Sequence, residues 1–335
     1  MLKIGINGFG RIGRSFLRAS FRRWPDCHVV AINDPAPVES LAYLLKYDSN
    51  YGKFPNVSWE ANNLIVGSHT IPVLNATDPR KIPWRDAGVD LVIESSGFFT
   101  EAALAQGHID AGAKKVIISA VAKKNSAPQY ILGVNDDNLA TENSPIISNG
   151  SCTTNCSAPV SAVLEQALGI EAGMLTTVHS YTATQALVDS PRADLRDGRA
   201  AAQNMVPSET GAAIATALVV PALKDRFDGL AIRVPTATVS LCDLTYYVKR
   251  NTTVNELKHF FVTASKTQTM QGILGVTSEP LVSLDFKGDP RSAIVDLNLI
   301  KVVGGRMVKI VAWYDNEWGY ANRLAELAHK FGLGL

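Results

Sequence analysis

The stretch Ser151-Cys152-Thr153-Thr154-Asn155-Cys156 puts a thiol among hydroxyls and an amide, at the start of an apolar run that continues through Pro159-Val160 to Leu168. A cysteine in the first turn of a helix faces unpaired backbone N–H groups and the positive end of the helix dipole, and both favour thiolate over thiol. The hydroxyls of Ser151, Thr153 and Thr154 suit a phosphate or an oxyanion, whereas a packed structural cysteine has no use for them. Cys152 therefore reads as a sulfur nucleophile. Cys152 and Cys156 share a helix face at i,i+4 and could be half of a metal site. Four ligands are needed, however, and no second Cys or His pair lies at matching spacing, so no metal is expected. Four cysteines in 335 residues are too sparse for a disulfide framework. An inert buried thiol fits Cys27, Cys156 and Cys242 well.

A nucleophile of this kind wants a proton acceptor, and the chain has six histidines. His28 starts a strand pattern, His108, His259 and His329 fall in helical patterns, and His69 lies at a hairpin turn. His179 follows the apolar segment Met174 to Val178 and opens Ser180-Tyr181-Thr182, a strand end beside hydroxyls that could serve as general base.

The elements that must position these groups alternate in the first half. Strand patterns at Leu2–Asn7, Cys27–Asn33, Leu91–Glu94, Lys115–Ser119 and Ile146–Ser148 are interleaved with helical patterns after Gly13, at Val38–Leu45 and at Glu101–Ala111. Asn63–Leu74 reads as a hairpin insertion turning at Gly67-Ser68. This order predicts an α/β fold with a doubly wound parallel, Rossmann-type sheet. The second half has a polar loop from Thr182 to about Gln203 and long strand-like runs at Gly229–Val234, Thr236–Lys249, Ser292–Val303 and Met307–Tyr314. It reads as an α+β domain built on a mostly antiparallel sheet. The boundary is set near residue 150. The amphipathic helix Glu317–Lys330 is expected to pack back onto the first domain, giving 1–150 with 317–335, and 151–316.

Gly8-Phe9-Gly10-Arg11-Ile12-Gly13 lies between a strand and a helix, the context that makes G-x-G-x-x-G a dinucleotide fingerprint. Gly8 would allow the tight turn, Gly10 the approach of a pyrophosphate, and Gly13 close helix–strand packing. Asp34 ends the next strand, where a carboxylate accepts from both ribose hydroxyls and repels a 2'-phosphate, so NAD is expected over NADP. Arg11 and Arg80 are possible partners for such a phosphate. Arg14 reads as a helix-surface or interface residue, and Arg18, Arg22 and Arg23 as one solvated helix face.

These segments, with Ser148-Asn149-Gly150 before the cysteine, Thr210-Gly211-Ala212-Ala213, Arg233-Val234-Pro235-Thr236 and Trp313-Tyr314-Asp315-Asn316-Glu317, resemble glyceraldehyde-3-phosphate dehydrogenase in the same order along the whole chain. The resemblance implies that Cys152 attacks an aldehyde and that His179 takes its proton. Hydride then passes to NAD, and inorganic phosphate cleaves the resulting thioester to an acyl phosphate. It places Gly8, Gly10, Arg11, Ile12, Gly13, Asp34, Arg80, Ser119, Asn316 and Tyr320 at the coenzyme, with Asn316 on the nicotinamide carboxamide. Ser151, Thr153, Thr210 and Gly211 fall to the attacking phosphate, and Thr182 and Arg233 to the phosphate of the aldose. In a hydrolytic aldehyde oxidiser Thr153, Thr210 and Gly211 would have no ligand, and unpaired polar groups in a dry site are costly. The resemblance also implies a homotetramer, with the Thr182–Gln203 loop at a subunit interface. Gly150 stands where alanine is usual, Val121 where proline is usual, and Ser190-Pro191 where Leu-Pro is usual in NAD enzymes.

Other readings are erythrose-4-phosphate dehydrogenase, which Asp225-Arg226-Phe227, Glu279–Ser283 and Asp289-Pro290 resemble, and a non-catalytic NAD-binding sensor. A sensor needs neither Cys152 nor His179. A net charge of +1, with 46% hydrophobic and 19% charged residues, gives no footprint for nucleic acid or an acidic membrane. No apolar run approaches the ~18 residues of a membrane span. With no signal-peptide pattern at the start, the cytoplasm is the expected location.

Overall fold

A computed structural model describes residues 1–334. The chain forms two compact units, one of Met1–Tyr130, Asp136–Gly150 and the terminal stretch from Ala321, the other of Ile131–Asn135 and Ser151–Tyr320.

The first unit begins with β1 (Leu2–Asn7), α1 (Arg11–Arg23), β2 (Cys27–Asn33) and α2 (Val38–Lys46). Three further strands follow, β3 (Val57–Glu60), β4 (Asn63–Val66) and β5 (His69–Leu74). The βα alternation then resumes with β6 (Leu91–Glu94), α3 (Ala102–Asp110), β7 (Lys115–Ile118) and β8 (Ile146–Ser148). The sheet order is β8-β7-β6-β1-β2-β5-β4-β3. Pairing is parallel from β8 through β5 and antiparallel through the last two strands. Because β1, β2, β6 and β7 are parallel, the residues that follow them (Gly8, Asp34, Ser95 and Ser119) share one edge of the sheet. That edge is where open α/β sheets take their ligands. The hairpin at Gly67 forms, and its second strand joins the main sheet beside β2. The four residues of β6 are all buried, as expected for a central parallel strand covered on both faces.

On α1 one sequence reading fails and another is narrowed. Arg18 is buried, not part of a solvated face: its guanidinium donates to the carbonyls of Leu45 and Gly52 and lies over the Phe54 ring. Arg14 is buried as well, with Nη1 on the Phe9 carbonyl at 2.8 Å, which removes the helix-surface alternative given for it. Each cation replaces its lost hydration with main-chain carbonyls, a solution that helical periodicity does not reveal. Arg22 and Arg23 are exposed.

The second unit opens with α4 (Cys152–Leu168) and β9 (Ile170–Ser180). It continues with β10 (Val206–Glu209), α5 (Ala212–Val219), β11 (Phe227–Val234), β12 (Ser240–Val248), α6 (Val254–Ala264), β13 (Leu274–Thr277), β14 (Ala293–Asp296), β15 (Lys301–Val303) and β16 (Met307–Tyr314). The helix α7 (Trp318–Leu333) closes the chain. The sheet order is β10-β11-β9-β12-β16-β14-β13, with β15 also on β16. Most pairs are antiparallel, but β9/β11 and β13/β14 are parallel. The core beneath it joins Val160, Leu164 and Leu168 of α4 to Leu175, Leu244, Phe261 and Ile310.

Two long strand readings are shortened. Ser292–Val303 is interrupted where the Asp296 carboxylate accepts from the Asn298 N–H and the chain turns. Thr236–Lys249 begins its strand only at Ser240, because Pro235 cannot donate to a ladder and Val239 is held at φ +69°. Among the described residues no helix is long and apolar enough to cross a membrane.

Candidate active site

In the first unit the glycine triplet makes a backbone-built turn. Gly8 sits at φ +89°, and a Cβ there would meet the Ser96 main chain at 2.5 Å. A Cβ on Gly13 would meet the Gly8 carbonyl at 2.4 Å, so this glycine lets α1 pack onto the turn. At Gly10 a Cβ would find nothing within 4 Å, so the turn is open there. Gly10 is also the N-cap of α1 and gives no side-chain cap, and the first turn carries no acidic residue. A helix start with no side-chain cap and no acidic residue in its first turn is suited to an anion.

Asp34 is half-buried, with one oxygen accepting from the Phe9 N–H at 2.8 Å and the other from Ala36 N–H at 2.9 Å. Each oxygen keeps a further lone pair for a hydroxyl donor. A cavity of about 500 Å³ opens where the chain leaves β2, lined by Pro35, Ala36, Leu74, Asn75, Ala76 and Lys81 among others. The arginines considered for a 2'-phosphate already hold carboxylates: Arg11 binds Asp48 at 2.6 Å, and Arg80 binds Asp78 at 2.8 Å. Ser119 follows β7, and its N–H donates to the Glu94 carbonyl at 2.9 Å. These groups fit a dinucleotide with free ribose hydroxyls.

In the second unit Ser151 caps α4, its hydroxyl accepting from the Thr154 N–H at 3.0 Å, and Gly150 before it turns at φ +61°. Cys152 is thereby fixed in the first turn. Its Sγ lies 3.4 Å from His179 Nε2. Alternation along β9 directs Leu175, Thr177 and His179 to the buried side. The Nδ1 of His179 lies 2.7 Å from the Ser180 carbonyl. That oxygen can only accept, so Nδ1 carries the proton and Nε2 presents its lone pair to the thiol. Arg233 is opposite His179 in the parallel β9/β11 register, with Nη1 3.2 Å from Nδ1.

Burial pushes the Cys152 thiol up to about 11, against the pull of Arg233 and of hydrogen bonds from Thr153. Burial, followed by the Arg233 charge, holds His179 down to about 4. The expectation of a standing thiolate is corrected accordingly: desolvation opposes the helix N-terminus. At 3.4 Å the imidazole Nε2 is the acceptor placed nearest the thiol proton.

Thr153 Oγ1 lies 2.9 Å from the Tyr314 hydroxyl, which in turn is 2.8 Å from Thr177 Oγ1. Thr210 Oγ1 accepts from the Ala212 N–H at 3.2 Å. Both threonine hydroxyls therefore have protein partners, and the argument that they would stand unpaired without a second phosphate does not hold. Gly211, at the start of α5, is exposed with open space about its Cα. Thr182 pairs with Thr184 at 3.0 Å between hydroxyls. Arg233 Nε and Gln185 Nε2 are buried without a hydrogen-bond partner among the described residues. Asn316 is buried, its Oδ1 accepting from the hydroxyls of Ser180 at 2.9 Å and Ser240 at 3.1 Å. Tyr320 is buried in the first turn of α7.

Sequence reasoning passed over Thr184, Ser180, Ser240 and Tyr314 as members of this set. Period-two reading of β9 carries Thr177 and His179 to one face, and Thr182-Ala183-Thr184 repeats a hydroxyl at the same spacing. Nothing local points to Ser240, and Tyr314 shows only as a neighbour of Asn316; strand pairing brings both in. Cys27, Cys156 and Cys242 are free and buried.

Residues 2–102 match the family described as "Glyceraldehyde 3-phosphate dehydrogenase, NAD binding domain", and residues 151–316 match "Glyceraldehyde 3-phosphate dehydrogenase, C-terminal domain". The chain is 50% identical over 332 residues to glyceraldehyde-3-phosphate dehydrogenase 1 of Streptomyces avermitilis, covering 99% of this chain and 98% of that one. It is 48% identical over 328 residues to glyceraldehyde-3-phosphate dehydrogenase 1 of Bacillus subtilis, covering 98% and 97% respectively. The same identity over the same length relates it to glyceraldehyde-3-phosphate dehydrogenase of Geobacillus stearothermophilus, again covering 98% and 97%. On its glycine turn, its thiol–imidazole pair and these full-length matches, the chain belongs to the glyceraldehyde-3-phosphate dehydrogenase family.

Proposed function

We propose that the chain catalyses the NAD-dependent oxidative phosphorylation of glyceraldehyde 3-phosphate to 1,3-bisphosphoglycerate through a thioester on Cys152. The observation that carries this reading is the thiol 3.4 Å from an imidazole whose other nitrogen is held by a backbone carbonyl. Nucleophile, base and orienting group are thus in hydrogen-bonding sequence.

Cys152 Sγ adds to the aldehyde carbon while its proton moves to His179 Nε2, and the imidazolium returns that proton to the new alkoxide. NAD, when bound, supplies the acceptor for the hydride on that carbon. His179 takes the hydroxyl proton as the thioester forms. Phosphate oxygen then attacks the thioester carbon, the C–S bond breaks, and the thiolate recovers its proton from His179. Arg233 with Thr182 and Thr184 is the cradle for the aldose phosphate, where a guanidinium and hydroxyls are the groups phosphate oxygens take. Ser151, Thr153, Thr210 and Gly211 form the set for the attacking phosphate. Gly8, Gly10, Arg11, Ile12, Gly13, Asp34, Arg80, Ser119, Asn316 and Tyr320 are assigned to the coenzyme. On this reading 1–150 with 317–335 is the coenzyme domain and 151–316 the catalytic domain.

A homotetramer and a cytoplasmic location are part of the proposal. Leu187, Val188 and Leu195 of the 182–203 loop, and Met205 just beyond it, are at least 69% exposed, an apolar set suited to a second copy of the chain. Four free thiols suit a reducing compartment. NADH formation from three-carbon and four-carbon aldose phosphates, with and without inorganic phosphate, tests the function. The three-carbon substrate with phosphate should give the higher kcat/KM. Equal rates without phosphate, or a better four-carbon substrate, would overturn it. Light scattering tests the assembly.

A further inference from the structure

Ser180 and Ser240 meet at a single acceptor. The hydroxyls of both donate to Asn316 Oδ1, at 2.9 and 3.1 Å, and the Ser180 N–H donates to Ser240 Oγ at 3.1 Å. Ser180 is 0% exposed, Ser240 2% and Asn316 5%. Asn316 Oδ1 is the one acceptor found for either hydroxyl proton among the described residues. If the amide were turned over, its NH₂ would face two hydroxyl oxygens and both buried O–H groups would lose their acceptor. Each such loss is a desolvation penalty with no return. The arrangement therefore admits one orientation of the amide, and Nδ2, which has no protein partner among the described residues, is the group left for a ligand.

We infer that Ser180 and Ser240 are positioning residues that lock Asn316 as a hydrogen-bond donor and so decide which end of the nicotinamide carboxamide it holds. The inference rests on the assignment of Asn316 to the coenzyme made above. A locked donor pairs with the carboxamide carbonyl oxygen, whereas a turned amide would accept from the carboxamide NH₂ and favour the opposite ring face. Ser180 thereby serves two functions: its carbonyl fixes the protonated nitrogen of His179, and its hydroxyl fixes Asn316. The tautomer of the base and the facing of the coenzyme ring are thus set by the main chain and the side chain of one residue.

The test compares NAD with 3-acetylpyridine adenine dinucleotide, which keeps the ring carbonyl but lacks the NH₂. The parent's locked donor meets the same carbonyl in both. In Ser180→Ala/Ser240→Ala the amide is free to turn, and only NAD can reward the turned form. The ratio of kcat/KM for NAD to that for the analogue should rise about twofold once the two amide orientations are equally populated. Deuterium from a 1-deuterated aldehyde, confined to one face of C4 in the parent, should appear on both faces. Ser180→Thr, which keeps the hydroxyl, should behave as the parent, and Ser180→Ala alone should give part of the effect should the double variant not fold. A folded double variant with the parent's ratio and single-face transfer would overturn the lock. Asn316→Ala with unchanged kcat/KM for NAD would instead overturn the coenzyme assignment, and the lock with it.

Discussion

The glycine turn of the first unit and the thiol site of the second are built from different materials. The turn is made of backbone: a side chain at Gly8 or Gly13 would strike the main chain, and Gly10 offers α1 no side-chain cap. The thiol site is made of side chains from α4, β9, β11, β12 and β16, with Cys152 and His179 separated by 27 residues and Thr153 and Tyr314 by 161. A backbone site is encoded by local spacing and tolerates changes in the side chains around it. A side-chain site depends on sheet register, and each member can be removed singly. Substitutions should therefore act differently in the two regions.

The largest effect should come from Cys152→Ser, which replaces the nucleophile while keeping its shape. Loss of kcat by about 10⁴-fold or more is expected, by analogy with removal of a nucleophile from a serine hydrolase, with NAD affinity retained. His179→Asn should follow, lowering kcat by roughly 10²- to 10⁴-fold. It should also move the alkylation of Cys152 by iodoacetamide to higher pH, since the proton acceptor 3.4 Å away is gone. An unshifted alkylation profile would break the pairing. In the glycine turn the comparison sharpens. Gly8→Ala should destabilise the unit, as φ +89° alone costs about 1–3 kcal/mol and the Ser96 main chain adds a clash. Gly10→Ala should leave the melting temperature nearly unchanged but raise KM for NAD, because its Cβ would enter open space that a bound pyrophosphate needs. Equal melting losses for the two would contradict the distinction.

A smaller effect concerns pH and stability. His179 is held at about 4 against 6.5 for a free imidazole, so the native state binds fewer protons between those values. Its contribution is full above pH 6.5 and is lost as pH falls toward 4, because the unfolded chain takes up the proton first. Urea unfolding of the parent should show that slope, and His179→Asn should flatten it. The Cys152 thiol acts in the opposite window, with its contribution full below pH 9 and lost as pH rises toward 11.

The same contrast explains what the sequence made legible. The parallel sheet, the glycine turn, Asp34 at a strand end and the helix start at Cys152 all follow from local patterns, and the fold places each where those patterns put it. His179 could be singled out because its strand ends beside hydroxyls. Ser240 and Tyr314 could not, since antiparallel pairing across β9, β12 and β16 delivers them from far along the chain. Arg18 was misread because a charged residue on a helix is normally solvated, and only tertiary carbonyls reverse that. The thiolate expectation came from the helix terminus alone, before burial could be weighed against it.

The central claim is that oxidation leaves an acyl group on Cys152 for phosphate to remove. Enzyme mixed with NAD and glyceraldehyde 3-phosphate, without inorganic phosphate, should be followed by NADH absorbance and by mass spectrometry of the quenched protein. A burst of about one NADH per site should be matched by a phosphoglyceroyl adduct on the peptide bearing Cys152, and added phosphate should discharge it and restart turnover. Steady NADH formation without phosphate, with Cys152 unmodified throughout, would contradict the account.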